Sequence, residues 1–105
     1  MARILVVDDI EFNIIPVKYL IKENFDIDVE DASNGAIALQ KYKDGYNKPC
    51  GCPDRAYKVI FMDLQMPVMG GVEASRKIMS LVKEVENDYN KRIETSIFAL
   101  TAFTN

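Results

Sequence analysis

Histidine is missing from all 105 residues, and so is tryptophan. Without histidine the chain offers no phosphohistidine donor, no imidazole general base and no His-ligated zinc. Cysteine is scarce: Cys50 and Cys52 lie too close in sequence for a useful structural staple, so reduced thiols in a cytoplasmic protein are the expectation. One residue separates them where thiol pairs for metal or redox work have two, and the Tyr46–Arg55 stretch reads as an exposed loop. No apolar run is long enough to span a bilayer, and no signal-peptide pattern precedes Ile4. Excess positive charge is missing too. Thirteen Lys and Arg stand against 16 Asp and Glu, a net charge of −3 with a pI near 4.9, which argues against nucleic-acid binding.

What is present is a soluble, globular composition, 49% hydrophobic with mixed charges, at a length that suits one domain over residues 1–105. The pattern alternates strand and helix, as in an α/β parallel sheet. Arg3–Val7 reads as a strand buried on both faces. A helix from about Asn13 to Asn24 carries Ile14, Val17, Tyr19, Leu20 and Ile21, with Pro16 tolerated only near its start. Ile27–Glu30 is a short second strand. A second helix runs from Asn34, carries Ile37, Ala38, Leu39 and Tyr42, and is expected to stop at Asp44-Gly45. The run Val59-Ile60-Phe61-Met62 forms a third strand. A helix from Gly71 places Val72, Ser75, Ile78, Met79, Val82 and Val85 on a narrow stripe. Polar Glu86–Thr95 then leads to a last strand at Ile97–Leu100.

Each buried strand ends at a hydrophilic group. The first ends at Asp8-Asp9, the third at Asp63 and the last at Thr101. In open parallel sheets ligands bind outside the carboxyl ends of the strands, so these groups can converge although far apart in sequence. Clustered carboxylates repel unless a cation relieves them, and an oxygen-only ligand set suits Mg²⁺. A single Asp after a strand is usually a turn or capping residue, and a threonine there is unremarkable. The ordered set is specific: Asp8-Asp9, then Asp63 with Met66-Pro67-Val68-Met69-Gly70-Gly71 behind it, then Ala99-Leu100-Thr101-Ala102.

That set resembles the receiver domain of two-component response regulators, most closely receivers attached to hybrid histidine kinases. The resemblance runs from Arg3 to the C-terminus, and Ala32-Ser33-Asn34-Gly35 matches the family's turn into its second helix. It implies a flavodoxin-like three-layer sandwich with strand order 2-1-3-4. It implies that Asp63 accepts a phosphoryl group from a histidine kinase or histidine phosphotransfer protein. It implies that Asp8, Asp9, Asp63 and the Gln65 carbonyl hold Mg²⁺, and that Thr101 is the switch hydroxyl. Gln65 and Phe103 fall at the two variable positions lining the route of attacking water, and a bulky Phe103 is expected to slow loss of the phosphoryl group. The chain would be a phosphoacceptor with self-phosphorylation and autodephosphorylation chemistry, and not a kinase by itself.

The sequence ends at Asn105, shortly after Thr101, where receivers continue through a fourth helix, a fifth strand and a fifth helix. The expectation is therefore an incomplete receiver without the lysine that ends the fifth strand, with possible self-association through the exposed edge of the last strand. The competing reading is a truncated or pseudo-receiver serving as a non-catalytic interaction module. A haloacid-dehalogenase-type hydrolase needs an acid two residues after the nucleophile, and Gln65 stands there.

Overall fold

In a computed structural model of the chain, residues 3–46, 57–64, 69–89 and 93–100 are described. The elements run β1 (Ile4–Val7), α1 (Glu11–Phe25), β2 (Val29–Ala32), α2 (Gly35–Tyr46), β3 (Val59–Asp63), α3 (Gly71–Tyr89) and β4 (Ser96–Leu100). The four strands form one parallel sheet, as the alternating pattern predicts, in the order β2-β1-β3-β4 that the receiver resemblance implies. Central β1 is Ile-Leu-Val-Val and buried at every position, so a continuous apolar run is what its place requires. Edge strand β2 instead carries Glu30 and Asp31, charges that blunt pairing with another chain.

Two cores flank the sheet. On one face Ile14 of α1 packs with Ile4, Val6 and Val29, and Phe61 and Val59 lie against this cluster. On the other, α2 and α3 bring Ala38, Tyr42, Ala74, Ile78, Val82 and Val85 onto Leu5, Val7, Ile60 and Met62. Helices on both faces and a strand order that reverses at β1 produce a crevice at the carboxyl edge. Truncating a fully buried side chain here, such as Ile60, costs about 2–5 kcal/mol.

Several elements differ in detail from the sequence pattern. β2 lies two residues later, at Val29–Ala32, because register with Ile4–Val7 is set by burial of Val29 and Ala32. α1 begins at Glu11, so Pro16 falls past the first turn and leaves the Phe12 carbonyl without its amide four residues on. α2 continues through Gly45 to Tyr46. The left-handed helix end occurs at Asp26 after α1 instead, with φ 53° and its N–H donated to the Lys22 carbonyl. In α3 the buried stripe is Ala74, Ile78, Val82 and Val85, while Val72 and Met79 are exposed. α3 also extends into the stretch read as polar linker, ending at Tyr89. Among the apolar residues whose spacing marked the first two helices, Tyr19, Leu20 and Ile37 are exposed.

Candidate functional site

β1 and β3 are parallel neighbours, and their last paired residues are Val7 and Met62. The residues that follow in the two strands are Asp8 and Asp63, so the register alone puts two carboxylates side by side. Asp9 joins them: one carboxylate oxygen from each of Asp8, Asp9 and Asp63 lies within 4.8 Å of the others. Asp8 is buried, Asp63 half-buried and Asp9 exposed. At that spacing each ionised pair repels by about 1 kcal/mol in water and about 3 kcal/mol at a surface-like dielectric.

Local hydrogen bonds hold this arrangement in place. Asp8 Oδ1 accepts the Ile10 N–H at 2.9 Å, fixing the turn that leads into α1. The Asp8 N–H donates to the Ala32 carbonyl at 3.1 Å, which ties the end of β1 to β2. At β3, the Gly71 N–H donates to the Leu64 carbonyl at 3.2 Å. A Cβ on Gly71 would overlap the Asp63 carbonyl oxygen, so α3 can start against the acidic strand end only with glycine there. Gly35 serves α2 similarly: its N–H donates to the Met69 carbonyl at 3.3 Å, and a Cβ would sit 2.6 Å from that oxygen. Asn34 caps α2 through its Oδ1, which accepts the Ile37 N–H at 2.9 Å.

The donor set suits a hard divalent cation. It is made of carboxylate oxygens, with burial graded from Asp8 outward and an open side at Asp9 that leaves room for water ligands. Leu100, the residue before Thr101, pairs with Asp63 across β3 and β4. Thr101, Gln65, Phe103 and the Cys50–Cys52 loop lie outside the described residues.

Two features here were not evident from sequence. A cleft of about 350 Å³ opens between α1 and the end of β2, bordered by Asp8, Asp9, Glu11, Lys18, Asp31 and Ser33. α1, which starts two residues after Asp9, carries exposed apolar side chains: Phe12 at 85% exposure, Ile15 at 55% and Tyr19 at 63%, of which Ile15 also lines the cleft. The spacing of Phe12, Ile15 and Tyr19 gives one helical face, the only sequence signal for that surface. No helix among the described residues is long and apolar enough to cross a membrane.

Comparison with known proteins gives concordant results. The response regulator receiver domain family matches residues 4–104. A two-component response regulator of Oryza sativa subsp. japonica, ORR41, is 38% identical over 82 residues, covering 77% of this chain and 58% of that protein. The chain thus spans little more than half the length of that relative. The crystal structure of the receiver domain of the histidine kinase CKI1 from Arabidopsis thaliana, complexed with Mg²⁺ and BeF3⁻, superposes with a TM-score of 0.77 at 30% identity. The match covers 99% of this chain and 68% of that one. The Saccharomyces cerevisiae receiver domain of Ssk1, co-crystallised with the histidine phosphotransfer protein Ypd1, superposes with a TM-score of 0.71 at 25% identity, covering 99% and 66%.

Proposed function

The chain belongs to the response regulator receiver domain family, and on that premise we propose that Asp63 is the acceptor of a phosphoryl group in a Mg²⁺-dependent phosphorelay. The observation that carries this reading is the meeting of Asp8, Asp9 and Asp63 within 4.8 Å at the carboxyl edge of the sheet. A carboxylate oxygen of Asp63 attacks the phosphorus of a phosphohistidine in the donor protein. A new O–P bond forms, the P–N bond breaks, and the electron pair stays on the imidazole nitrogen. Asp8, Asp9 and Asp63 would hold the ion, with the Gln65 carbonyl completing the protein ligands. When bound, Mg²⁺ neutralises charge on the phosphoryl oxygens and relieves repulsion among the three acids. The receiver of CKI1 was crystallised with Mg²⁺, which supports the ion assignment.

The donor is a histidine kinase or a histidine phosphotransfer protein. The exposed Phe12, Ile15 and Tyr19 face of α1, whose Ile15 shares the cleft with Asp8 and Asp9, is apolar enough to bury against a helical partner. The Ssk1 receiver co-crystallised with Ypd1 supports a partner of that kind. Thr101 is the switch hydroxyl that bonds a phosphoryl oxygen once Asp63 is modified, a role supported by its place directly after β4.

The test is intact-protein mass after incubation with acetyl phosphate and Mg²⁺. One phosphoryl group is expected on the wild-type chain, and none on Asp63→Ala or without the metal. An equal adduct on Asp63→Ala would overturn the assignment.

A further inference from the structure

The cleft between α1 and β2 is lined by four carboxylates, Asp8, Asp9, Glu11 and Asp31, and Lys18 is the one cation among its described lining residues. Lys18 Nζ lies 2.8 Å from Asp31 Oδ2, with the two side chains 39% and 45% exposed. A pair that open to water exchanges readily. Asp31 is held on its other side by Lys41 of α2, which donates to its backbone carbonyl. The following carbonyl, Ala32, takes the Asp8 N–H. Helical side chains lean toward the amino end of their helix, so the Lys18 stem runs toward the acidic edge.

We propose that Lys18 is a positioning residue for the incoming phosphoryl group: held in the cleft by Asp31, its ammonium offsets the surrounding carboxylates and eases the approach of an anion to the acidic edge. The inference rests on the phosphoacceptor reading above. A cleft lined only by acids would favour Mg²⁺ but repel the group that Mg²⁺ is there to receive. One ammonium among them shifts that balance, and Asp31 partly cancels it.

The signs separate this role from a merely structural one. Lys18→Gln makes the cleft more negative, which tightens Mg²⁺ binding and slows the arrival of an anion. Asp31→Asn makes it less negative and acts in the opposite direction on both. If the pair were only a tie between α1 and β2, both variants would lose the same bond and move the same way.

The experiment uses the full chain, with Lys18→Gln, Lys18→Arg and Asp31→Asn, and with Lys77→Gln on α3 as an exposed control. Mg²⁺ affinity is read by titration calorimetry with the metal alone. Labelling by acetyl phosphate is read as a rate at saturating Mg²⁺, at low and high salt. In that labelling an Asp63 oxygen bonds to phosphorus as acetate leaves with the electron pair. For one unit charge across an open cleft, Lys18→Gln is expected to bind Mg²⁺ about two- to fourfold tighter and to label about two- to fourfold more slowly. Asp31→Asn shifts both readings the other way, Lys18→Arg keeps wild-type values, and the differences shrink at high salt. Variants that move together, or that both match Lys77→Gln, would overturn the proposal. A wild-type chain that takes no label at all defeats the phosphoacceptor reading, and the proposed role of Lys18 falls with it.

Discussion

The guanidinium carbon of Arg3 stands 4.3 Å from the ring centroid of Tyr57, and Arg3 Nη2 donates both to the Tyr57 hydroxyl oxygen at 3.1 Å and to Glu30 Oε2 at 2.7 Å. This ties β1, β2 and the approach to β3 at the edge of the sheet away from the acidic group. Tyr57 is 1% exposed, and its carbonyl accepts the Thr95 hydroxyl at 2.9 Å. With its own proton so engaged, Thr95 Oγ1 accepts from the Tyr42 hydroxyl at 2.6 Å.

Arg3→Ala loses a cation–π contact and a half-exposed ion pair, so a loss of about 1–2 kcal/mol in folding stability is expected. Tyr57→Phe, which removes only the hydroxyl, is expected to cost about 1 kcal/mol. Urea titration gives both values. Mg²⁺ affinity should be unchanged in each, since the network lies at the opposite sheet edge.

The same residues set a pH dependence. Burial pushes the Tyr57 phenol up, aided by its hydrogen bond with the Glu30 carboxylate. The unfolded chain therefore ionises this phenol first, and stability falls as pH rises above about 10. Burial of Glu30 acts to raise its pKa, but hydrogen bonds from Arg3 and Tyr57 outweigh it and hold the carboxyl below its ordinary range. Its contribution is complete above the unfolded value near 4.5 and is lost as pH falls through the folded one. In Tyr57→Phe the alkaline slope should diminish, read as denaturation midpoint against pH.

Gly71 is where fold and site depend on one atom. Gly71→Ala places a methyl against the Asp63 carbonyl, so α3 or the end of β3 must shift. A loss of about 1–3 kcal/mol is expected, together with weaker Mg²⁺ binding. An alanine variant that binds Mg²⁺ like the wild type would show that Asp63 is placed by something else.

The acids themselves oppose folding when no cation is bound. Asp63→Asn removes one of the three charges within 4.8 Å and should raise metal-free stability by about 1 kcal/mol or more. Adding Mg²⁺ at 100 times its dissociation constant should stabilise the wild-type chain by about 2.7 kcal/mol. The Asn variant should gain distinctly less at the same concentration. Thermal melts with and without the metal read both effects.

At the end of α1, Asp26 holds a left-handed conformation with φ 53°. Asp26→Gly removes the steric penalty and loses only an exposed contact with Lys22, 3.2 Å away. A gain of up to about 1 kcal/mol is expected.

The parallel strands and the acidic group were legible because both depend on short apolar runs ending in carboxylates, while the strand order came from the resemblance to receivers. Exposure on α1 was not legible. Tyr19 and Leu20 helped mark the helix by their spacing, yet the sheet beneath α1 takes only Ile14 fully, with Val17 and Ile21 at its margin. β2 was read two residues early because Ile27 looks like a strand start, whereas pairing with Ile4 begins at Val29. The cleft depends on Lys18 crossing to Asp31, a contact between residues 13 apart that no local pattern encodes. Tyr57 looked featureless in sequence, since its partners Arg3 and Thr95 come from distant segments.

The most direct test of the central claim identifies the modified atom. The chain is labelled with acetyl phosphate and Mg²⁺, reduced at once with borohydride, which converts an aspartyl phosphate to homoserine, and then digested and sequenced by mass spectrometry. Homoserine at position 63 alone, and none when Mg²⁺ is withheld, is the expected result. Homoserine at Asp8 or Asp9, or conversion at Asp63 that ignores Mg²⁺, would contradict it.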